Sequence, residues 1–464
     1  MPEPGWTNRF TRGQGSPWRT RRTDGPPKRR HIRSVIRCLR TSRLYGDAVY
    51  HLPYIPCSGK MLDAADLRNM VDASLDMWLT AGRFCEDFER KLANRFGTAH
   101  AVMTVSGSAA NLLAFSALTS WKLRDRRIEP GSEVVTVAAS FPTTVAPIVQ
   151  NRCIPVFVDV DLETFNVDVD QLTEAITSKT RAIMIAHTLG NPFDVEAVAA
   201  LAKKRGLYLI EDCCDAFGAT FKGRGVGTWG DLATLSFYPA HHITVGEGGA
   251  VMMQRRSTKV LVESFRDWGR DCWCAPGKAN TCEKRFEWRS GKLPYGYDHK
   301  FIFSHLGYNV KSTDFQGAIG ITQLDKLDTF IERRRENFKW FSENFVEEGF
   351  DAHFILPKAT AGSDPSWFGF LLTIRDESPL KRRDVVSYLE AHQVGTRLLF
   401  AGNLTRQPAF KGVEHRIVGS LKNTDKLMND SFWIGVWPGI GPRQREYIME
   451  TFRAMLRDLL PRSG

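Results

Sequence analysis

The chain has 464 residues, 42% hydrophobic and 25% charged, enough to bury a large core and to form about two or three domains. No run approaches the roughly 18 consecutive apolar residues of a membrane-spanning helix, and no apolar signal core lies near the N-terminus. Nine cysteines, an odd number scattered along the chain, argue against a disulfide framework and for a reducing, cytoplasmic setting.

The net charge of +11 is not spread evenly. Residues 1–45 carry twelve Lys/Arg against Glu3 and Asp24 and so supply +10, leaving the other 419 residues at +1. A near-neutral body argues against a general nucleic-acid binder. The tail, with Pro26-Pro27 and few large aliphatics, cannot bury enough surface to fold alone. Residues 1–50 are expected to form a basic, disordered extension. An over-long start, an anionic-surface contact and an organelle-targeting peptide are the other readings.

Beyond the tail, β-branched runs alternate with helical stretches. Strands are predicted at 101–106 (AVMTVS), 133–140 (EVVTVAAS), 155–162 (PVFVDVDL), 181–188 (RAIMIAHT), 207–212 (LYLIED) and 233–238 (ATLSFY). Helical stretches such as AANLLAFSALTSWKL and DVEAVAALAKKRG separate most of them. Continuous apolar strands with helices between them predict an α/β fold whose mostly parallel sheet is covered on both faces. From about residue 312 a long amphipathic helix leads into a smaller C-terminal α+β domain, with a strand at 368–376 and a closing helix from Pro442 to Leu460. The expected division is a large domain over 51–320 and a small one over 321–464.

In such sheets ligands collect at the carboxyl ends of the strands, where the polar segments fall. Ser106, Gly107, Ser108 and Ala109 stand between a strand and a helix, a place that suits a phosphate or simply an N-cap. Phe141, in FPTT, either covers a flat ring or packs in the core. Glu211 and Asp212 end a buried strand, where a carboxylate needs a cationic or N–H partner. The last strand runs into SFYPAHHITVGEGGAV (236–251), with Ser236 as a second phosphate donor, His241 and His242, and a turn shaped by Gly246, Gly248 and Gly249.

Taken in order, strand–SGS–helix, FPTT, IED at a strand end and SFxPxxxIxxGEGG resemble the fold-type-I, vitamin B6-dependent sugar aminotransferases of the DegT/StrS family over roughly residues 55 to 460. LGYNVKSTDFQGAIG (306–320) resembles the family block in which an Asn, here Asn309, reaches the neighbouring subunit's phosphate, which implies a homodimer. The resemblance implies that pyridoxal or pyridoxamine phosphate is held by Gly107, Ser108, Ala109, Phe141, Asp212, Asp215, Ser236 and Asn309, with Asp212 on the pyridine nitrogen. At the family's lysine stands His241. Imidazole cannot form lysine's stable imine, but with an unperturbed pKa near ~6.5 it can move a proton. The implied chemistry is dehydration on a non-covalently held cofactor, with an inert packing histidine as the opposing reading. His242 is assigned no role.

With SFYPAHHITVGEGGAV, the segments IAHTLGNPFD, ESFRDWGRDCWCAPG, YDHKFIFSHLGYN and GTRLLFAGNLTRQP resemble one branch of that family. Its members remove the 3-hydroxyl of CDP-linked 4-keto-6-deoxyhexoses on the way to the 3,6-dideoxyhexoses of lipopolysaccharide O-antigen. Cys214, followed after 57 residues by Cys272, after one by Cys274 and after seven by Cys282, matches the spacing of that branch's [2Fe–2S] ligands. Without the resemblance, the same residues read as buried or zinc-bound cysteines. Arg266, Arg270, Lys278, Lys284 and Arg285 flank them and could favour thiolates. A one-electron cluster implies an NAD(P)H-dependent flavin and iron–sulfur reductase as partner. Arg397, Asn403 and Arg406, with Gln407, are candidate sugar or diphosphate contacts, which a salt-bridged loop explains equally well. Two alternatives stand beside this reading. One is a cluster-free dehydratase in which glutamate resupplies the amine, and the other a non-catalytic zinc-binding sensor or nucleic-acid binder on the same fold.

Overall fold

The computed structural model describes residues 54–289 and 291–460, so the basic extension and Cys38 lie outside the described residues. The strands, in chain order, are β1 (His100–Thr104), β2 (Glu133–Val137), β3 (Ile154–Val158), β4 (Thr180–Ala186), β5 (Tyr208–Asp212), β6 (Thr220–Phe221) and β7 (Arg224–Gly225). They continue with β8 (Leu232–Ser236), β9 (Gly249–Met253), β10 (Phe354–Ile355), β11 (Ser363–Asp364), β12 (Gly369–Ile374), β13 (Arg416–Ile417) and β14 (Ser431–Gly435).

The main sheet has the order β1-β9-β8-β5-β4-β2-β3-β13. The six expected strands are all in it, and β8, β5, β4, β2, β3 and β13 pair in parallel. Strands β9 and β13 are additions. After the glycine turn the chain doubles back, so β9 lies antiparallel between β8 and β1, with Gly249 opposite both Ser236 and Thr104. This places the loop after β1 and the loop after β8 at the same end of the sheet. Alternate residues face opposite sides, as strand geometry requires. Val102, Val134, Phe157, Ala182, Ile210 and Val251 pack into one cluster with Ala110 and Leu113 of the helix Gly107–Leu118. Met103, Val135, Ile183, Leu209 and Ala250 pack into the other, beneath Phe84 and Phe88 of the helix Arg83–Phe96. Each large aliphatic side chain fully buried this way contributes about 1.5–3 kcal/mol.

The C-terminal part builds a second, antiparallel sheet, β10-β12-β14. Phe345, Phe354, Phe370 and Phe452 interlock over it, Phe345 and Phe452 edge to face at 5.0 Å. The single long helix expected from residue 312 is two, Asp314–Leu324 and Leu327–Glu347. At the break Lys326 reaches Asp66, a buried carboxylate 2.6 Å away. Helix Asp314–Leu324 runs across the expected boundary at residue 320, and β13, well beyond it, joins the main sheet. No helix among the described residues is long and apolar enough to cross a membrane.

Candidate active site

The two acids at the end of β5 separate by strand alternation. Glu211 turns inward and accepts from Gly227 N at 2.6 Å, Gly230 N at 2.7 Å, Trp229 N at 2.9 Å and His187 Nε2 at 3.1 Å. It anchors the 227–230 turn, and His187 is its buried partner, stacked on Phe193 at 4.2 Å. Asp212 turns the other way. Its Oδ2 accepts from Asn111 Nδ2 at 2.8 Å and Thr144 Oγ1 at 2.7 Å, and its Oδ1 from Cys214 N at 3.1 Å. Thr234 Oγ1 donates to Asn111 Oδ1 at 2.7 Å, which fixes the amide with its nitrogen toward Asp212. Sequence reasoning missed Asn111, Thr144 and Thr234. The available signal was a lone amide within the otherwise apolar stretch AANLLAF of a buried helix.

Around Asp212 the other predicted residues assemble. Ser106 caps the helix Gly107–Leu118 by accepting from Ala109 N at 3.1 Å, leaving the first-turn N–H groups at the strand end. Ser108 is exposed there and meets Thr143 at 3.1 Å. Gly107 packs so closely on the ends of β8 and β5 that a Cβ would stand 2.5 Å from Ser236 Cβ and 3.0 Å from Cys214 Sγ. Phe141 caps the neighbouring helix Pro142–Gln150, is 49% exposed, and meets Phe400 edge to face at 6.1 Å. An exposed aromatic at this place is free to cover a ligand ring, and the core-packing alternative does not describe it.

His241 lies in the loop that follows β8. Its Nδ1 is 3.3 Å from Asp215 Oδ1, without an aligned hydrogen bond, and its ring tilts against Phe368 at 5.3 Å. Asp215, left without a specific role by the sequence, is thus the carboxylate beside the histidine. His242 points away into the core, where its Nε2 meets Ser366 O at 2.7 Å; burial and then the charge of Arg334 hold it well below the usual imidazole range. A B6 phosphate fits these residues. Gly107, Ser108 and Ser236 form a cradle a side chain at 107 would fill, Asp212 is a hydrogen-bonded carboxylate, and Asp215 Oδ2 and His241 Nδ1 are buried polar atoms without hydrogen-bond partners.

The cysteines divide differently from expectation. The sulfurs of Cys272, Cys274 and Cys282 lie within 4.8 Å of one another, a spacing that a metal ion or cluster could bridge. Cys214 is not in that group among the described residues. It sits beside Gly107 and Ser236, where burial and then Asp212 push its thiol well above the usual range. Of the four thiols the sequence reading grouped, Cys272, Cys274 and Cys282 are gathered and Cys214 stands at the cofactor cradle. Burial raises Cys272 to about 11. At Cys274 burial also pushes upward, but hydrogen bonds from Thr281, Cys272 and Cys282 outweigh it and bring the thiol to about 7. His299 backs the trio, with Nδ1 3.5 Å from Cys282 Sγ and Nε2 3.1 Å from Asp271. Three of the flanking cations are engaged elsewhere: Arg266 with Glu89 and Asp267, Arg285 with Asp298, Arg270 over Trp268. Cys57, Cys85, Cys153 and Cys213 are free and buried.

Other candidates are occupied by structure. Asn403 and Arg406 both bind Asp425, an arrangement that matches the salt-bridged loop named as the alternative for them. Gln407 donates to Ala401 O at 2.7 Å. Arg397 donates to Thr396 O at 2.7 Å. Asn309 accepts from Lys311 at 2.5 Å.

Comparison with known proteins agrees with this geometry. The profile of the DegT/DnrJ/EryC1/StrS aminotransferase family matches residues 61–453. The lipopolysaccharide biosynthesis protein RfbH of Salmonella typhimurium is 54% identical over 398 residues, covering 86% of this chain and 91% of its own. The dTDP-4-dehydro-2,6-dideoxy-D-glucose 3-dehydratase of Saccharopolyspora spinosa is 50% identical over 394 residues, 85% of each chain. Among solved structures, a GDP-4-keto-6-deoxymannose-3-dehydratase with a trapped PLP–glutamate geminal diamine superposes with a TM-score of 0.76 at 28% identity, over 85% of this chain and 99% of its own.

Proposed function

The chain belongs to the DegT/DnrJ/EryC1/StrS aminotransferase family, and within it we propose a vitamin B6-dependent nucleotide-sugar 3-dehydratase. Its substrate in this reading is a CDP-linked 4-keto-6-deoxyhexose, deoxygenated at C-3 for the 3,6-dideoxyhexoses of lipopolysaccharide. The observation that carries the proposal is His241, flanked by Asp215 at 3.3 Å, at the place where the family resemblance puts the cofactor-bearing lysine. The names of the two sequence relatives, one in lipopolysaccharide biosynthesis and one a 3-dehydratase, support the substrate class.

Pyridoxamine phosphate, when bound, supplies the amine that joins the sugar ketone and a ring that accepts electrons. The protein does the rest. The N–H groups of the helix Gly107–Leu118, with Ser108 and Ser236, hold the phosphate, and Phe141 covers one ring face. Asp212 holds the pyridine nitrogen protonated, its own position set by Asn111 and Thr144. Asp215 faces Nδ1 of His241, so the N–H sits there and Nε2 is left as the base. His241 removes the proton, the 3-hydroxyl departs as water, and no nitrogen is transferred to the sugar. Asn309 of each subunit completes the other's phosphate site in the homodimer that belongs to this proposal.

Two routes finish the turnover. In the cluster-free route glutamate resupplies the amine, as the likeness to the structure with bound PLP–glutamate suggests. In the other, the gathered Cys272, Cys274 and Cys282 would help hold a [2Fe–2S] cluster, which would supply one-electron chemistry with an NAD(P)H-dependent flavin and iron–sulfur reductase as partner. Both share the dehydration step. Mass spectrometry of the product from purified protein, pyridoxamine phosphate and the CDP-4-keto-6-deoxyhexose tests it: loss of the 3-oxygen is expected. An amino sugar formed with glutamate would overturn the proposal. Iron and sulfide analysis after anaerobic purification separates the two routes.

A further inference from the structure

The helix Leu327–Glu347 carries a residue that none of these roles uses. Arg334 is 1% exposed, among the largest fully buried side chains. Its hydrogen bonds go to backbone carbonyls, Nη1 to Trp367 O at 3.2 Å and Phe368 O at 3.5 Å, Nη2 to His241 O at 3.4 Å. Its Nε, though buried, has no partner. Carbonyls alone do not call for a charge. Near it on the same helix the neutral amide of Asn337 ties Val436 O, Trp437 O and Ile440 O at 3.1–3.2 Å. A guanidinium removed from water is far more expensive to bury than an amide. Burial brings Arg334 down to about 10, and the opposing attraction comes from Asp215.

We infer that Arg334 is the positioning residue of the His241–Asp215 pair: it grips the histidine's backbone carbonyl while its charge draws the Asp215 carboxylate beside Nδ1. The inference rests on His241 being the working base of the proposed function. The same cation disfavours protonation of His242, the neighbouring histidine that points into the core. Arg334 touches neither cofactor nor substrate in this role. It couples the long helix and the entry to β12, through Trp367 and Phe368, to the loop that carries His241.

The test uses the full chain with Arg334→Gln, Arg334→Met and Arg334→Lys, each with Asp215 intact and with Asp215→Asn. The first readout requires no turnover: the rate at which diethyl pyrocarbonate modifies His241 in the cofactor-free protein, followed by peptide mass mapping. With Asp215 intact, Arg334→Gln is expected to raise that rate about fivefold, the size of a modest pairwise coupling, and Arg334→Lys to restore it within about twofold. In the Asp215→Asn background Arg334→Gln should add less than about twofold. The second readout is the kcat–KM split, with the loss expected in kcat. Equal effects of Arg334→Gln in both backgrounds, or a Gln variant indistinguishable from wild type, would overturn the inference. If the Met variant fails to fold, the Gln and Lys variants decide. Failure of the dehydration reading shows separately, in the wild-type product.

Discussion

Replacing Asp212 by Asn separates a structural carboxylate from one that serves a cofactor. Asp212 is 4% exposed and accepts three hydrogen bonds, from Asn111, Thr144 and the Cys214 amide. Thr234 prevents Asn111 from flipping to accommodate a change. In Asp212→Asn the amide oxygen can stay with Asn111 and Thr144, so its NH2 faces the Cys214 N–H. One stranded buried donor costs about 1–3 kcal/mol, which lowers the melting temperature by a few degrees. The cofactor should suffer more specifically. Loss of a charge-assisted hydrogen bond to the pyridine nitrogen is worth about 1.5–3 kcal/mol, or about 10- to 150-fold in affinity. Fluorescence titration with pyridoxamine phosphate, beside a thermal melt, measures both. A melt lowered by those few degrees with affinity unchanged within about twofold would refute the assignment of Asp212 to the cofactor.

Gly107→Ala puts a methyl 2.5 Å from Ser236 Cβ, so calorimetric titration should show B6 phosphate affinity falling at least about tenfold while the fold survives. Glu211→Gln faces an NH2 toward donors that now meet a carboxylate, and urea unfolding should register about 1–3 kcal/mol for each donor stranded. His305, between Ser120 and Ser264, is pushed down to about 4, first by burial and then by Lys122. Its folded pKa lies below the unfolded one, so the unfolded chain binds more protons between about pH 4 and 6.5 and stability falls as pH drops through that window. The contribution is at most about 3 kcal/mol, and about 1 for a half-buried ring. Urea midpoints at pH 5 and pH 7 should therefore differ more for wild type than for His305→Asn, and equal differences would exclude this ring as the source.

Much of this molecule could be read along the chain, for identifiable reasons. The six expected strands, β1, β2, β3, β4, β5 and β8, are largely buried apolar runs, so their positions needed no knowledge of neighbours. Strand β13 is two residues long, and β9 is defined by doubling back between β1 and β8, facts that exist only in the pairing. The break at Asp325–Lys326 has no Pro or Gly to announce it and coincides with Lys326 reaching Asp63 and Asp66 on a distant helix and its cap. At the site, Asp212, Ser236 and His241 were legible because each sits at a strand end within a motif. Their supports were not: Asn111, Thr144 and Arg334 act across elements, and nothing in their local pattern says where their side chains end. Cys214 makes the same point: its spacing to Cys272 is visible along the chain, but its place beside Gly107 and Ser236 is visible only in the fold. Asn403 and Arg406 share Asp425 as a partner, which their local pattern does not announce.

The exchange of chemistry at one position is most directly tested by His241→Lys, with B6 loaded, borohydride added, and the intact mass recorded beside an assay of sugar deoxygenation. Wild type should carry no covalent pyridoxyl group and remove the 3-hydroxyl, whereas the lysine variant should gain one such group and lose deoxygenation. A covalent adduct on the wild-type chain, or undiminished deoxygenation by the lysine variant, would contradict the assignment of His241 as the base.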